Sequence, residues 1–316
     1  MLLNLTFIAG VGLALGAVLW WGIRNLPAER WQMLAAIPIA KTADGSWRGL
    51  NLTFYGFFSA SGTTFGLVIM LLLLSSVGLP TRAGAAFVLA LLAVCIAASR
   101  IIAGLVEHKR NTFTVAGGAF VASIALPLLT LALEPLTIRV WHRSPGVLPV
   151  VAAAAIGYAL GESLGRLACL SFGCCYGVPL RKAPPVLARL FHKHNLVLEG
   201  GTKKASYAAN LAGEPLLPVQ AITSVIYAVA GIAGMVLFVA RFWRVSALVP
   251  LLATWGWRAC SELLREDYRG EGKIPVYQIM AIVAMVYSML FVVFLPADLP
   301  VIPNLPSAVA RVFSLP

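Results

Sequence analysis

Charge is what this sequence has least of. Only 11% of its 316 residues are Asp, Glu, Lys or Arg, against about a quarter in an ordinary soluble domain. So thin a supply cannot coat a globular surface of this size, and a water-soluble globule is excluded. Acidic groups are the scarcest, 12 against 24 Lys and Arg. In a soluble protein the resulting charge of +12 would suggest nucleic acid. Here the cations gather at the ends of apolar runs, where anionic headgroups and orientation signals account for them. Zinc-ligand spacing, a phosphate-binding glycine loop and an aromatic–basic RNA motif are all missing, so no metal, cofactor or nucleic acid is expected. Cysteine is sparse too. Cys95, Cys169, Cys174, Cys175 and Cys260 form no evenly spaced disulfide framework. Cys95 and Cys260 lie in apolar runs, where a small buried hydrophobe is the plain reading.

What fills the space is hydrophobic: 60% of the residues, in runs of the roughly twenty residues that span a bilayer as a helix. Eight candidate spans begin near Leu2, Leu50, Gly84, Thr114, Leu148, Pro218, Ala247 and Pro275. They predict an all-α polytopic integral membrane helical bundle of seven to eight transmembrane helices. The first run lacks a basic start and a small-residue cleavage site, and Trp20 and Trp21 near its end suit an interface, so it reads as an uncleaved helix. With the polar stretch from Arg24 to Arg48 it makes an N-terminal addition, residues 1–49. The membrane domain covers residues 50–295. Inside it, residues 173–217 hold the longest polar insertion, broken by Pro184-Pro185 and Gly200-Gly201, and read as a small extramembrane cap. Residues 296–316, with five prolines, read as a surface tail. Internal repeats and low-complexity tracts are absent.

Charges inside spans are costly, which makes them functional candidates by default. The fifth run is densest. Gly157, Gly161 and Gly165 repeat every fourth residue and form a face for close helix approach. Beside them Tyr158, Glu162, Arg166 and Cys169 share a stripe. Glu162 meets Arg166 one turn away; the plainer alternative is a self-satisfied ion pair. A second stripe ends the seventh run, Arg258, Glu262 and Arg265, followed by Glu266, Asp267 and Arg269; an ordinary solvated helix end is the alternative from Arg265 onward. Arg100 closes the third run, where snorkelling to the interface is equally open. Three arginines on three helices suggest convergence on one anion, since guanidinium forks grip phosphate with two bonds and keep their charge. The Cys174-Cys175 pair is expected to pack, because no nearby histidine or carboxylate completes a metal geometry.

These residues carry a family resemblance. Gly165-Arg166-Leu167-Ala168-Cys169-Leu170-Ser171-Phe172-Gly173, continued by Cys174-Cys175-Tyr176-Gly177, resembles the signature glycine–arginine segment of bacterial prolipoprotein diacylglyceryl transferases. Tyr55-Gly56, Ser99-Arg100, Val115-Ala116-Gly117-Gly118, Pro218-Val219-Gln220, the Arg258–Asp267 stretch and Gln278 follow in the family's order over roughly residues 50–295. The resemblance implies a membrane enzyme of the bacterial inner membrane that moves a diacylglyceryl group from phosphatidylglycerol to a lipoprotein cysteine thiol. It implies Arg166 and Arg258 as catalytic residues, to which the stripe adds Glu162, and Arg100, Glu262, Arg265, Tyr55, Gly117, Gly118 and Gln220 as substrate-binding ones. The partners would be the phospholipid and a lipoprotein precursor. The chain departs from the family where its acid–base residues belong. The family histidine falls on Ala116, a glutamate on Thr223 and a second histidine on Leu217. Glu162 is the one substitute base in the stripe, although Arg166 opposes that role. A phospholipid-binding membrane protein or transporter without chemistry is the competing reading; a transporter should show repeat symmetry or broken helices, and neither is present in the sequence. Basic residues favour a cytoplasmic location for the 24–48, 107–112 and 173–217 loops. The resemblance implies that they lie outside.

Overall fold

A computed structural model describes residues 1–107, 114–141, 146–267, 275–295 and 301–314. Most of the basic loop 107–112, Arg269, Pro296 and Pro300 lie outside them. The protein is an all-α polytopic membrane bundle. Among the described residues, seven helices are long and apolar enough to cross a bilayer. They are α1 (Leu2–Asn25), α2 (Phe54–Ser76), α3 (Thr81–Glu107), α4 (Val115–Trp141), α5 (Val147–Phe172), and, after the cap, α8 (Val219–Val239) and α10 (Val276–Phe294). The expected eighth span is α9 (Trp243–Ser261). It is less apolar than the other seven but runs antiparallel to α8. Contacts from Ser246 to Gly234, Tyr227 to Thr254 and Trp257 to Thr223 descend the pair in step.

The centre of the bundle is α5, whose first half is buried almost throughout. Its glycines meet those of α2. A Cβ added at Gly66 would stand 2.5 Å from the Gly157 carbonyl oxygen, and one at Gly161 would stand 2.8 Å from that of Gly62. Backbone therefore touches backbone, as the glycine spacing predicts. On the other flank of α5 the Ser163 and Ser224 hydroxyls each donate to the other residue's carbonyl, at 2.8 and 3.0 Å, fastening α8.

Two sequence expectations are corrected. Residues 33–53 are not a loop leading into a span at Leu50. They form an antiparallel hairpin, β1 (Met33–Lys41) and β2 (Trp47–Thr53), turning through Asp44-Gly45 with Gly45 at φ +84°. Ile37 and Ile39, like Leu50 and Leu52, alternate at the strand period. The helix starts only at Phe54, where the Thr53 hydroxyl caps the Gly56 N–H. Secondly, the tail is not a plain surface segment. Leu305, Ala308 and Val312 form a buried helical stripe on α11 (Leu305–Phe313), with Ala308 and Val312 packed against Leu72 and Leu305 joining the main core. The Asn4 amide on α1 bonds both Pro303 and Leu305, at 2.9 Å each, and Arg311 reaches the Ser75 carbonyl at 2.6 Å. The N-terminal helix α1 packs on α5 and α8.

The cap carries α6 (Pro185–Phe191), α7 (Lys204–Ala209) and a two-stranded ribbon of β3 (Leu196–Val197) with β4 (Pro215–Leu216). Its anchor is Lys203, which is 0% exposed. The Lys203 ammonium donates to the Leu26 carbonyl at 2.9 Å and the Ser171 carbonyl at 2.6 Å. It thereby joins the C-terminal ends of α1 and α5, where helices leave carbonyls without partners. Burial lowers the Lys203 amine to about 8.

Candidate functional site

A cavity of about 670 Å³ runs along α5 between α2, α3, α4, α9 and α10. Its lining on α5 extends from Val151 to Cys169, about 27 Å at 1.5 Å per residue, close to the thickness of a bilayer's hydrocarbon core. The two ends differ. Towards the start of α5 the walls are apolar, with Met70, Leu126, Phe291 and Val292. Towards its end stand Tyr55, Glu162, Arg166, Arg258 and the cysteines. An anionic head and apolar tails match that gradient.

Arg166 and Arg258, expected to converge from separate spans, do face this one cavity. A small polar recess beside it is lined by both, and by Arg265, Gln220 and Cys175. Each guanidinium is held differently. Arg166 pairs with Glu162 at 2.5 Å, leaving its Nε without a partner. Arg265 lies beyond α9, after a 3-10 turn over Glu262–Leu264. It grips Asp267 with two bonds, at 2.8 and 3.0 Å, and stands 3.6 Å from Glu262. Burial raises the Asp267 carboxyl to about 6 against the pull of Arg265. Burial also works against the charge on Arg265, but Cys175, Asp267 and Glu262 more than offset it and hold the guanidinium charged. Arg258 is different. It is 6% exposed, its Nε is unbonded, and no ion pair reaches it among the described residues. A buried cation without a counterion favours an anion.

The other candidates divide. Tyr55 lines the cavity and meets the Phe172 ring edge-on at 5.4 Å. Gln220 is buried and donates to the Cys174 carbonyl at 2.9 Å; its side-chain oxygen, facing the recess, has no partner. Gly118 lines the cavity, whereas Gly117 packs against Ile102, which a Cβ would approach to 2.7 Å. Glu262 sits beneath Arg265 and lines neither space. Arg100 is not part of the convergence: it is exposed, and only its neighbour Ser99 lines the cavity. α3 continues past Arg100 to Glu107, and on it Ser99 faces the cavity while Arg100, about 100° further round the helix, is exposed. The third inward guanidinium is Arg265.

A scan against models of known protein families matches none, and a search of the curated proteins finds no relative. The chemistry is therefore read from the residues themselves. Ala116 is a cavity wall, Thr223 accepts a 2.7 Å bond from the Trp257 indole, and Leu217 is buried, so none of the three positions supplies a base.

Sequence reasoning missed a grouping. Cys169, at the end of α5, and the following Cys174 and Cys175 bring their sulfurs within 4.8 Å of one another. Two turns of chain geometry cause it. Gly173 ends α5 at φ +70°, and Cys175 itself adopts φ +56°, a conformation uncommon without glycine. Hydrogen bonds from Cys169 and Cys174, with Arg265 and Arg166 nearby, lower the Cys175 thiol below its usual range, while hydrogen bonds with Cys169 and Cys175, and then burial, raise Cys174.

Proposed function

We propose that the protein is a multi-pass enzyme of the bacterial inner membrane that transfers a diacylglyceryl group from an anionic phospholipid, phosphatidylglycerol, to a thiol. The observation that carries this reading is the cavity's gradient. Guanidinium groups from two membrane helices and the loop beyond α9 border its polar end, and apolar walls continue for most of a bilayer's depth. The order of motifs resembling diacylglyceryl transferases supports the same donor.

In this reading Arg258 holds the phosphodiester, and Arg166, oriented by Glu162, lies alongside. The acceptor thiol loses its proton to solvent, and its sulfur attacks the glyceryl carbon. A carbon–sulfur bond forms, the bond from that carbon to the phosphate oxygen breaks, and glycerol phosphate leaves with the electron pair. Negative charge accumulates on the leaving phosphate, where fixed guanidinium groups stabilise the transition state more than the ground state. Glu162, already engaged with Arg166, serves better as an orienting residue than as a base. A lipoprotein precursor is the expected thiol donor.

One observation favours a second reading, phospholipid binding without transfer: Ala116, Thr223 and Leu217 leave no conventional base. Purified protein incubated with phosphatidylglycerol labelled in its headgroup and a cysteine peptide separates the two. Release of labelled glycerol phosphate, abolished in Arg166→Ala, is the expected result. Retention of bound lipid without release would establish the second reading.

A further inference from the structure

The three cysteines have a geometry that packing alone does not require. Sulfurs bound at about 2.3 Å to one zinc-class ion stand about 3.8–4.0 Å apart, whether the site is tetrahedral or trigonal. The Sγ atoms of Cys169 and Cys175 are 3.9 Å apart, and Cys174 completes a set within 4.8 Å. Adjacent residues in an extended chain point to opposite sides. The left-handed backbone at Cys175 turns the pair instead towards the sulfur of Cys169. All three cysteines line the lipid cavity, and Arg166 beside them, with Arg265 bordering the Cys175 recess, offsets the negative charge that three thiolates bring to one ion.

We propose that Cys169, Cys174 and Cys175 form a three-thiolate site for one soft metal ion of the zinc class, with its open fourth position directed into the cavity. Thiolate ligands select such ions, and three protein ligands with one vacant position are the pattern of catalytic zinc. The fourth ligand is the acceptor thiol, a role that rests on the transferase reading. On binding, the thiol gives its proton to water and becomes a metal-bound thiolate. That sulfur then attacks the glyceryl carbon, and the glycerol phosphate takes the electron pair of the broken carbon–oxygen bond. The product thioether carries no charge, binds the ion weakly and leaves. The ion thus does at Cys175 what a base at Ala116 would otherwise do.

Cobalt(II) is the probe, because thiolate coordination gives it an intense charge-transfer absorption. Full-length protein titrated with cobalt(II) should bind one equivalent and show that absorption, and zinc should displace it. N-acetylcysteine amide should then shift the spectrum as a fourth sulfur enters. Cys175→Ser and Cys169→Ser should weaken cobalt binding by at least about tenfold, while Cys260→Ser, at an exposed position on α9, leaves it unchanged. Absence of the absorption in the parent protein, or its persistence in Cys169→Ser/Cys174→Ser/Cys175→Ser, overturns the site. The transferase reading fails separately. If cobalt binds and takes the added thiol but labelled phosphatidylglycerol never releases glycerol phosphate, the metal site stands without that activity. If release continues undiminished after a chelator has stripped the protein, or in the triple serine variant, transfer stands and the metal role falls.

Discussion

Arg258 shows most plainly what a single side chain does in this protein. Its burial without a counterion is unfavourable unless an anion completes it, so the lipid phosphate and the guanidinium should stabilise each other. Arg258→Ala is expected to lower phosphatidylglycerol turnover by about 10²–10³-fold, the scale of losing one fixed donor to a developing negative charge. Arg258→Lys should recover only part of it, because an ammonium keeps the charge but not the planar fork. Headgroup-release kinetics on the three proteins measure this, and a turnover in Arg258→Ala equal to that of the parent would remove Arg258 from the site. Arg166 and Arg258 were legible in the sequence for the same energetic reason: a cation inside an apolar run has no neutral explanation. Arg100 misled because an arginine inside a long apolar helix satisfies the same rule while facing outward, and one residue of helix rotation decides which. The cysteine cluster was hidden because it depends on a left-handed backbone at Cys175, which nothing about a cysteine announces.

Between elements, two contacts set the scaffold, one apolar and one polar. Where α2 crosses α5 the helices touch through backbone, so Gly66→Ala must separate them or distort Gly157, whose carbonyl oxygen lies 2.5 Å from the added carbon. It should cost about 1–3 kcal/mol, as overpacking generally does. Gly16→Ala on α1, where an added carbon meets nothing within 4 Å, should be neutral or slightly stabilising; thermal unfolding in detergent compares the two. Lys203 is the polar counterpart. Lys203→Met leaves two carbonyls at helix ends short of a donor and should destabilise by about 2 kcal/mol or more. Its pH dependence has a definite sign. Burial lowers the folded amine to about 8 from its ordinary 10.5, so its contribution is fully present above 10.5 and is lost as pH falls through about 8. The parent protein's unfolding temperature should therefore drop across that window relative to Lys203→Met. The α5 glycine repeat could be read in the sequence because spacing alone defines a helix face. The hairpin of β1 and β2 could not be placed so easily, since its apolar alternation covers only two residues per strand before a turn interrupts it.

On the scale of the whole molecule, eight antiparallel helices return the chain to the side on which it starts. Asn4 and the α11 segment meet at one end. The hairpin, the cap and the guanidinium groups lie at the other. The basic count of the cap argues for a cytoplasmic location, but the structure reduces the charge that such a count assumes. Lys203 is buried between helix ends, Arg181 pairs with Glu214 at 2.9 Å, and Lys182 pairs with Glu266 at 2.5 Å. Cations neutralised within the fold bias topology less than free ones in short loops, and long loops follow that bias poorly. The cap end is therefore expected outside, opening the cavity's polar end to acceptors that have already crossed the membrane. Lys193→Cys, at an exposed position on the cap, and Ser314→Cys, at an exposed position after α11, test both ends at once. A membrane-impermeant maleimide should label the first in intact cells, above the parent's background, and the second only after permeabilisation. The reverse pattern would place the cap in the cytoplasm and remove secreted lipoprotein thiols from the possible acceptors.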